Sequence, residues 1–140
     1  MADVRIFPHP YAQTPEEIRE NFETLEEFLQ PEPWKPLAPL YVNGWVDYEA
    51  GSRLGEYRKN PFGVVELRGV IKNGTSGTVA FTLPVGYRPA TPYRQYPVVS
   101  VNGMGQLITG VTGEVTVQNL TAGSEVKTFC FLEPIFFATE

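Results

Sequence analysis

The chain holds one histidine and one cysteine, His9 and Cys130. Catalysis by a serine or cysteine nucleophile needs a base within hydrogen-bond reach, usually a histidine. His9 lies between Pro8 and Pro10 in an irregular N-terminal stretch, remote in sequence from Cys130. Cys130 sits in the apolar run Val126–Leu132, where a lone thiol reads as a small buried hydrophobe, and it excludes an internal disulfide. One His and one Cys do not make a zinc site of the usual type. No Gly-x-Ser-x-Gly elbow and no Walker phosphate loop is present. Gly103-Met104-Gly105 opens like a dinucleotide fingerprint, but Ile108 holds the third glycine position and no strand-to-helix context follows, so it reads as a turn. A carboxylate pair can hydrolyse a glycoside. Asp47, Glu49, Glu56 and Glu66 are the candidates, nothing in the sequence pairs any two, and solvated positions account for them. No catalytic residue, cofactor or metal is expected.

What remains is a segment suited to binding, Gly86-Tyr87-Arg88-Pro89-Ala90-Thr91-Pro92-Tyr93-Arg94-Gln95-Tyr96. Alternating Tyr and Arg in a proline-stiffened loop present flat faces and charged forks at low ordering cost. Tyr87 and Arg88 read as framework residues. Tyr93, Arg94 and Tyr96 follow the rigid turn and precede a strand, so a scaffold can hold them against a ligand. A sugar ring finds an apolar platform on an aromatic face and hydrogen bonds at its edge.

These residues must be held by a β-rich scaffold. The 42% of hydrophobic residues supplies a core for one domain plus a small appendage, and 13 Gly and 13 Pro lie scattered between apolar runs, as turns do in an all-β chain. Strands are expected at Leu40–Trp45, Gly63–Lys72, Thr78–Leu83, Tyr96–Val101, Glu114–Leu120 and Glu125–Leu132. Asn43-Gly44, Asn73-Gly74 and Asn102-Gly103 mark turns. In Val64–Ile71 one face reads Val64, Glu66, Arg68, Val70 and the other Val65, Leu67, Gly69, Ile71, as in a half-buried strand. Val126–Leu132 carries apolar residues on both faces, and Pro134-Ile135-Phe136-Phe137 closes the chain, which suggests strands covered on both sides, in a sandwich or under a neighbouring subunit. The sequons at Asn73 and Asn119 matter only in a secretory pathway, for which the first residues carry no signal. No apolar stretch reaches the length of a membrane span.

Ahead of that scaffold lies a helix. Thr14-Pro15-Glu16-Glu17 is a capping box with proline at the first helical position, and Pro31 and Pro33 stop the helix near Gln30. Between Thr14 and Leu29, six glutamates face one arginine, which equals the net charge of −5, and the other ten acids and ten bases cancel. No basic stripe for nucleic acid exists. Ile18, Phe22, Leu25 and Leu29 are spaced as the seam of a heptad, with Phe28 widening the stripe. About 16 residues of helix is near the lower limit of stability alone in water, so the stripe needs burial. Its own domain, copies of itself or a larger partner can supply it. The Pro-rich segment 31–39 reads as a stiff spacer, which favours copies of itself. Three parts follow: a lead-in and assembly helix over 1–30, a linker over 31–39, and a β head over 40–140.

Asn43-Gly44-Trp45, Tyr57-Arg58-Lys59, Gly63-Val-Val-Glu-Leu67-Arg68-Gly69 and Gly77-Thr-Val-Ala-Phe-Thr-Leu-Pro84-Val-Gly86-Tyr87-Arg88-Pro89 occur in that order. With Asn21-Phe22-Glu23-Thr24-Leu25 and Trp34 ahead of them, the stretch from 14 to about 100 resembles the C-terminal domain of tailed-bacteriophage tail fibres, minor tail proteins and receptor-binding proteins. That resemblance implies an antiparallel β-sandwich of jelly-roll type with a short N-terminal helix, assembled as a homotrimer. It implies a place on the virion surface, an N-terminal segment attached to another virion protein, and a head that contacts a host-surface glycan or protein receptor. Capsid decoration is the alternative role. It carries over no defined binding residues, since such domains share a framework and vary their ligands, and the charge pattern and lack of a long apolar stretch lead us to expect no nucleic-acid partner and no membrane insertion. Without a long shaft, the chain is expected to project only a short distance.

Heptad spacing alone does not choose three strands over two, and the number rests on the resemblance. The solution mass is expected to correspond to three copies. Changing Ile18, Phe22 and Leu25 together to Ser is expected to weaken assembly, and a stable monomer at micromolar concentration would reject the assembly role of this stripe.

Overall fold

The computed structural model describes residues 14–133 and 135–139, so His9 and the lead-in before Thr14 lie outside the described residues. Helix α1 spans Pro15–Leu29. Thr14 Oγ1 accepts from the Glu17 N–H at 3.2 Å and Glu17 Oε2 accepts from the Thr14 N–H at 2.9 Å, which closes the capping box. None of its residues is buried. Phe22 is 62% exposed and even the innermost seam residue, Leu25, is 38% exposed. Among the described residues nothing buries the stripe, which does not pack onto the β head.

The Pro-rich segment is not a free spacer. Glu32 exchanges two bonds with Lys59: its N–H donates to the Lys59 carbonyl, and its carboxylate accepts from the Lys59 N–H at 3.0 Å. Trp34 lies over two guanidinium groups, with Arg58 at 4.2 Å and Arg68 at 4.0 Å from the ring centre. Strand β1 (Lys35–Pro36) then pairs with β3 (Glu56–Lys59), and Leu37 is fully buried. Prolines keep this stretch extended, as expected, but the extended chain is used as an edge strand, where missing N–H donors are tolerated. The head therefore begins near Glu32, and only Gln30 and Pro31 separate it from the helix.

The remaining strands are β2 (Val46–Asp47), β4 (Val64–Arg68), β5 (Val70–Lys72), β6 (Thr78–Thr82), β7 (Arg94–Val101), β8 (Gly103–Thr109), β9 (Glu114–Asn119), β10 (Glu125–Phe131) and β11 (Ile135–Ala138). They form two antiparallel sheets, four-stranded in the order β1-β3-β4-β11 and seven-stranded in the order β2-β5-β10-β7-β8-β9-β6. One apolar cluster serves both. Tyr57, Val65, Leu67, Ile135 and Phe137 come from the smaller sheet, and Ile71, Phe81, Val98, Leu107, Val115, Val117, Val126 and Cys130 from the larger. Alternation places these side chains on one face of each strand and leaves the other face outside.

Two expected strands differ. Leu40–Trp45 is a short 3-10 turn at Ala38–Leu40, a single bridge from Tyr41 to Phe81 and an Asn43-Gly44 turn, because both turn residues take positive φ. Gly63–Lys72 is broken in two at Gly69, whose φ is +110°. There the chain leaves the smaller sheet as β4 and enters the larger as β5. Alternation fails across the break, so Val70 and Ile71 are both buried. Strands β1, β2, β3 and β8 lie outside the expected set, and β11 falls on the closing run Ile135-Phe136-Phe137. Three of the four β3 residues are charged, and β8 begins with the glycines that read as a turn. Gly105 faces inward in β8, where Val126 occupies the space a side chain would need. The strand Val126–Leu132 is covered on one face only: Val126, Cys130 and Leu132 are buried, while Phe129 and Phe131 lie half-buried on the other.

A Cβ on residue 69 would sit 2.3 Å from the Leu54 carbonyl oxygen, and positive φ adds strain for any other residue. Gly69→Ala is expected to cost on the order of 2–4 kcal/mol of stability, read as a lowered midpoint in urea unfolding. Gly51→Ala, which shares the positive-φ strain at +85° but where nothing crowds the added carbon, is expected to cost less.

Candidate functional site

The Tyr/Arg loop divides as its positions suggest. The Tyr87 hydroxyl accepts from Lys35 Nζ and donates to Glu32 Oε2 at 2.9 Å, and its ring meets Tyr57 edge-on at 5.1 Å. Burial raises the Tyr87 pKa despite the adjoining lysine. Arg88 Nε donates to the Leu83 carbonyl at 3.0 Å. Both are framework. Tyr93 is 81% exposed and holds a φ of +55°, unusual for an aromatic residue. Arg94 Nε donates to Thr91 Oγ1 at 2.8 Å, and Tyr96 stands half-buried with its hydroxyl 3.5 Å from the Phe136 carbonyl oxygen.

Arg94 and Tyr96 share the face of β7 that is buried further along as Val98 and Ser100. Near the start of β7 that face opens into a hollow of about 320 Å³, bounded by Thr91, Arg94, Tyr96, Phe136 and Ala138. Tyr93 does not line it, so the three expected residues do not form one site. On the other side of Phe136 lies a second hollow of about 390 Å³, lined by Trp34, Glu66, Leu67, Arg68, Glu133 and Ile135. Phe136 belongs to both and is 62% exposed, so it forms a ridge between two largely apolar hollows that carry charged groups in their walls. A larger hollow of about 420 Å³ at Val85, Gly86, Arg88, Pro89, Val111 and Thr139 lacks any aromatic residue, and its Arg88 is held by Leu83.

The walls are electrostatically ordered. Register sets Arg58 opposite Glu66 and Arg68 opposite Glu56, giving ion pairs of 2.8 Å each on the outer face of the smaller sheet. These pairs are partly exposed and contribute modestly to stability, but they fix the guanidinium planes beneath Trp34. Glu133 Oε1 accepts from the Gly69 N–H at 3.1 Å. The arrangement offers aromatic faces from Phe136 and Tyr96 with guanidinium and carboxylate groups at their edges. That suits a neutral or weakly charged polyhydroxylated ligand, whose C–H faces stack and whose hydroxyls find donors and acceptors.

Of the residues singled out in the sequence, Arg94 and Tyr96 line one of these hollows, whereas Phe136 and Trp34, which also line them, were not among the candidates. The available signal was the run Ile135-Phe136-Phe137, in which alternation must turn one Phe outward once its neighbours face the core.

The other candidate groups have structural partners. Asp47 Oδ1 accepts from the Tyr41 hydroxyl at 2.7 Å and from the Gly55 N–H at 2.8 Å, while Glu49 accepts from Ser52. Glu56 and Glu66 lie in the ion pairs above. Burial pushes the Cys130 thiol up to about 12. Among the described residues, no group of three or more His, Cys, Asp and Glu is placed to hold a metal ion, and no helix is long and apolar enough to cross a membrane. Comparison with protein-family models, with curated proteins and with solved structures gives no match for this chain.

Burial, and then the bond to Asp47, raise the Tyr41 pKa well above its ordinary value of 10.0. The unfolded phenol ionises near 10 while the folded one stays protonated, so the stability it contributes is complete below pH 10 and declines above it. Unfolding free energy is expected to fall more steeply between pH 10 and 11.5 in the wild type than in Tyr41→Phe. Parallel slopes in the two proteins would remove Tyr41 as the cause.

Proposed function

We propose that this chain is a non-enzymatic surface protein of a tailed-bacteriophage virion, a short tail fibre or receptor-binding head, that holds a host-surface glycan on the Phe136 ridge. The observation that carries the ligand reading is the exposed Phe136 ring between two hollows walled by Arg94 and Tyr96 on one side and Trp34, Glu66 and Arg68 on the other. An aromatic ring of this exposure, on a rigid strand and flanked by fixed charges, is poised for a sugar face at little ordering cost. Tyr93 stands apart as a projecting contact for a longer ligand. The virion reading rests on the resemblance of residues 14–100. Two antiparallel sheets around one apolar cluster, with direct crossings at β4–β5 and β10–β11, support a jelly-roll-like sandwich.

The unburied stripe of Ile18, Phe22, Leu25 and Leu29 supports self-association, with the trimer number taken from the resemblance. The N-terminal segment is also the attachment to another virion protein. Each ridge binds weakly alone, and several ridges on one particle gain avidity without new contacts.

Purified chain is expected to label bacterial cells and to bind members of an array of bacterial surface polysaccharides. Phe136→Ala with Arg94→Ala is expected to weaken binding by at least about tenfold, roughly 1.4 kcal/mol, with solution mass and melting midpoint unchanged because both side chains are exposed. Undiminished binding by that variant moves the site elsewhere. An assembled chain that labels no cells and no glycan, yet whose loss leaves particles fragile, establishes capsid decoration instead.

A further inference from the structure

The two hollows beside Phe136 differ in what their polar side chains have left to offer. On the Trp34 side the charged groups are already engaged. Arg68 pairs with Glu56 and Glu66 with Arg58, each at 2.8 Å, and Glu133 accepts from the Gly69 N–H at 3.1 Å. The carboxylates there keep lone pairs for the hydroxyl protons of a ligand. On the other side no Asp, Glu, Asn or Gln takes part in the wall, and the polar side chains are Thr91, Arg94 and Tyr96. All three have protons to donate. Arg94 gives its Nε–H to Thr91 Oγ1 at 2.8 Å, and among the described residues its terminal nitrogens have no partner and no carboxylate pairs with it. The Thr91 hydroxyl accepts that bond and keeps its own proton for another. Burial raises the Tyr96 pKa against the pull of Arg94, so this hydroxyl stays protonated. At 3.5 Å from the Phe136 carbonyl oxygen it is only loosely held.

We infer that the ridge takes an acidic sugar, whose carboxylate meets the terminal N–H groups of Arg94 while its ring lies on Phe136. This deepens the glycan reading and rests on it. A wall of donors around an unpaired guanidinium is matched by a group that only accepts, and among sugar substituents that group is an ionised acid. The bond from Nε to Thr91 fixes the guanidinium plane and leaves its end-on pair of N–H groups, spaced for the two oxygens of one carboxylate. One guanidinium balances one negative charge, and no second cation lines the hollow for the further charge of a phosphomonoester. Across Phe136, Glu66 and Glu133 repel a second carboxylate and accept hydroxyl protons, so the acid has one end of the ridge to occupy. The net charge of −5 resides in α1 and the remaining acids and bases cancel, so an acidic polymer is not turned away from the head.

The full chain is tested against the array of bacterial surface polysaccharides, sorted into neutral, uronate-bearing and phosphate-bearing members. The bound members are expected to bear uronates. Converting their carboxyl groups to primary alcohols is expected to weaken binding by the wild type at least about tenfold. Added salt is expected to weaken binding of the native polymer and not of the reduced one. Arg94→Gln is expected to bind native and reduced polymer alike, whereas Phe136→Ala loses affinity for both. Equal binding of native and reduced polymer by the wild type, or binding confined to neutral or phosphate-bearing members, overturns this inference alone, so long as Phe136→Ala still weakens binding. An Arg94→Gln variant that keeps the full preference for native polymer overturns it as well. If no member is bound, the glycan reading and this inference fall together. The reduction is made on the ligand, so its outcome does not depend on how a variant folds.

Discussion

Three of the four passages between the sheets meet at one junction, at Gly69. The chain crosses from the smaller sheet to the larger between β4 and β5, and crosses back between β10 and β11. The two crossings are bonded to each other there. The Leu132 N–H donates to the Gly69 carbonyl at 2.9 Å, and the Gly69 N–H donates to the Glu133 carboxylate at 3.1 Å. The loop that carries the chain from β2 to β3 joins them, since the Val70 N–H donates to the Arg53 carbonyl at 3.0 Å. Only a residue without a side chain fits against the Leu54 backbone at this point. The relative placement of the two sheets, and with it the shape of the shared core, depends on that backbone-to-backbone approach.

The candidate site inherits its geometry from the same junction. Glu133 lies at the crossing and in the wall of the hollow beside Phe136, and β11 begins just after it. Pairing of Phe136 with Glu66 sets the ring beside the row of charged pairs. Tyr96, arriving from the larger sheet, reaches the Phe136 carbonyl and helps close the hollow that Arg94 and Thr91 line. Thus residues of β4, β7 and β11, and Trp34 ahead of β1, meet on one surface because both sheets are pinned close by.

The sequence disclosed what short-range physics controls. The capping box, heptad stripe and proline stop of α1 act within a few residues, and the helix ends one residue from where they place it. Strands rich in Val, Ile and Phe were legible for the same reason. Gly69 looked like one more position in an alternating strand, because the carbonyl that excludes a side chain belongs to Leu54. Strand β3 was hidden because its charged side chains find partners distant in sequence, Arg58 and Glu56 on β4 and Lys59 at Gly86, and the linker was misread because the guanidinium groups that receive Trp34 lie 24 and 34 residues further on. At the site, Arg94 and Tyr96 stood out through composition. Phe136 did not, since its exposure follows from pairing with β4 and nothing local distinguishes it from Phe137, which is buried.

The stapling of residues 32–37 to the head has a mechanical consequence. A pull on α1 reaches the head along β1, parallel to the strand and across its ladder with β3. Loading in that direction is shear. The Glu32–Lys59 bonds, the Lys35–Tyr57 and Pro36–Glu56 pairings, and the seat of Trp34 on Arg58 and Arg68 must yield together and cannot be opened one at a time. Tension entering at the N-terminal end is therefore spread over the outer face that carries the Phe136 ridge, and a head tethered by its helix keeps that face intact while it is pulled.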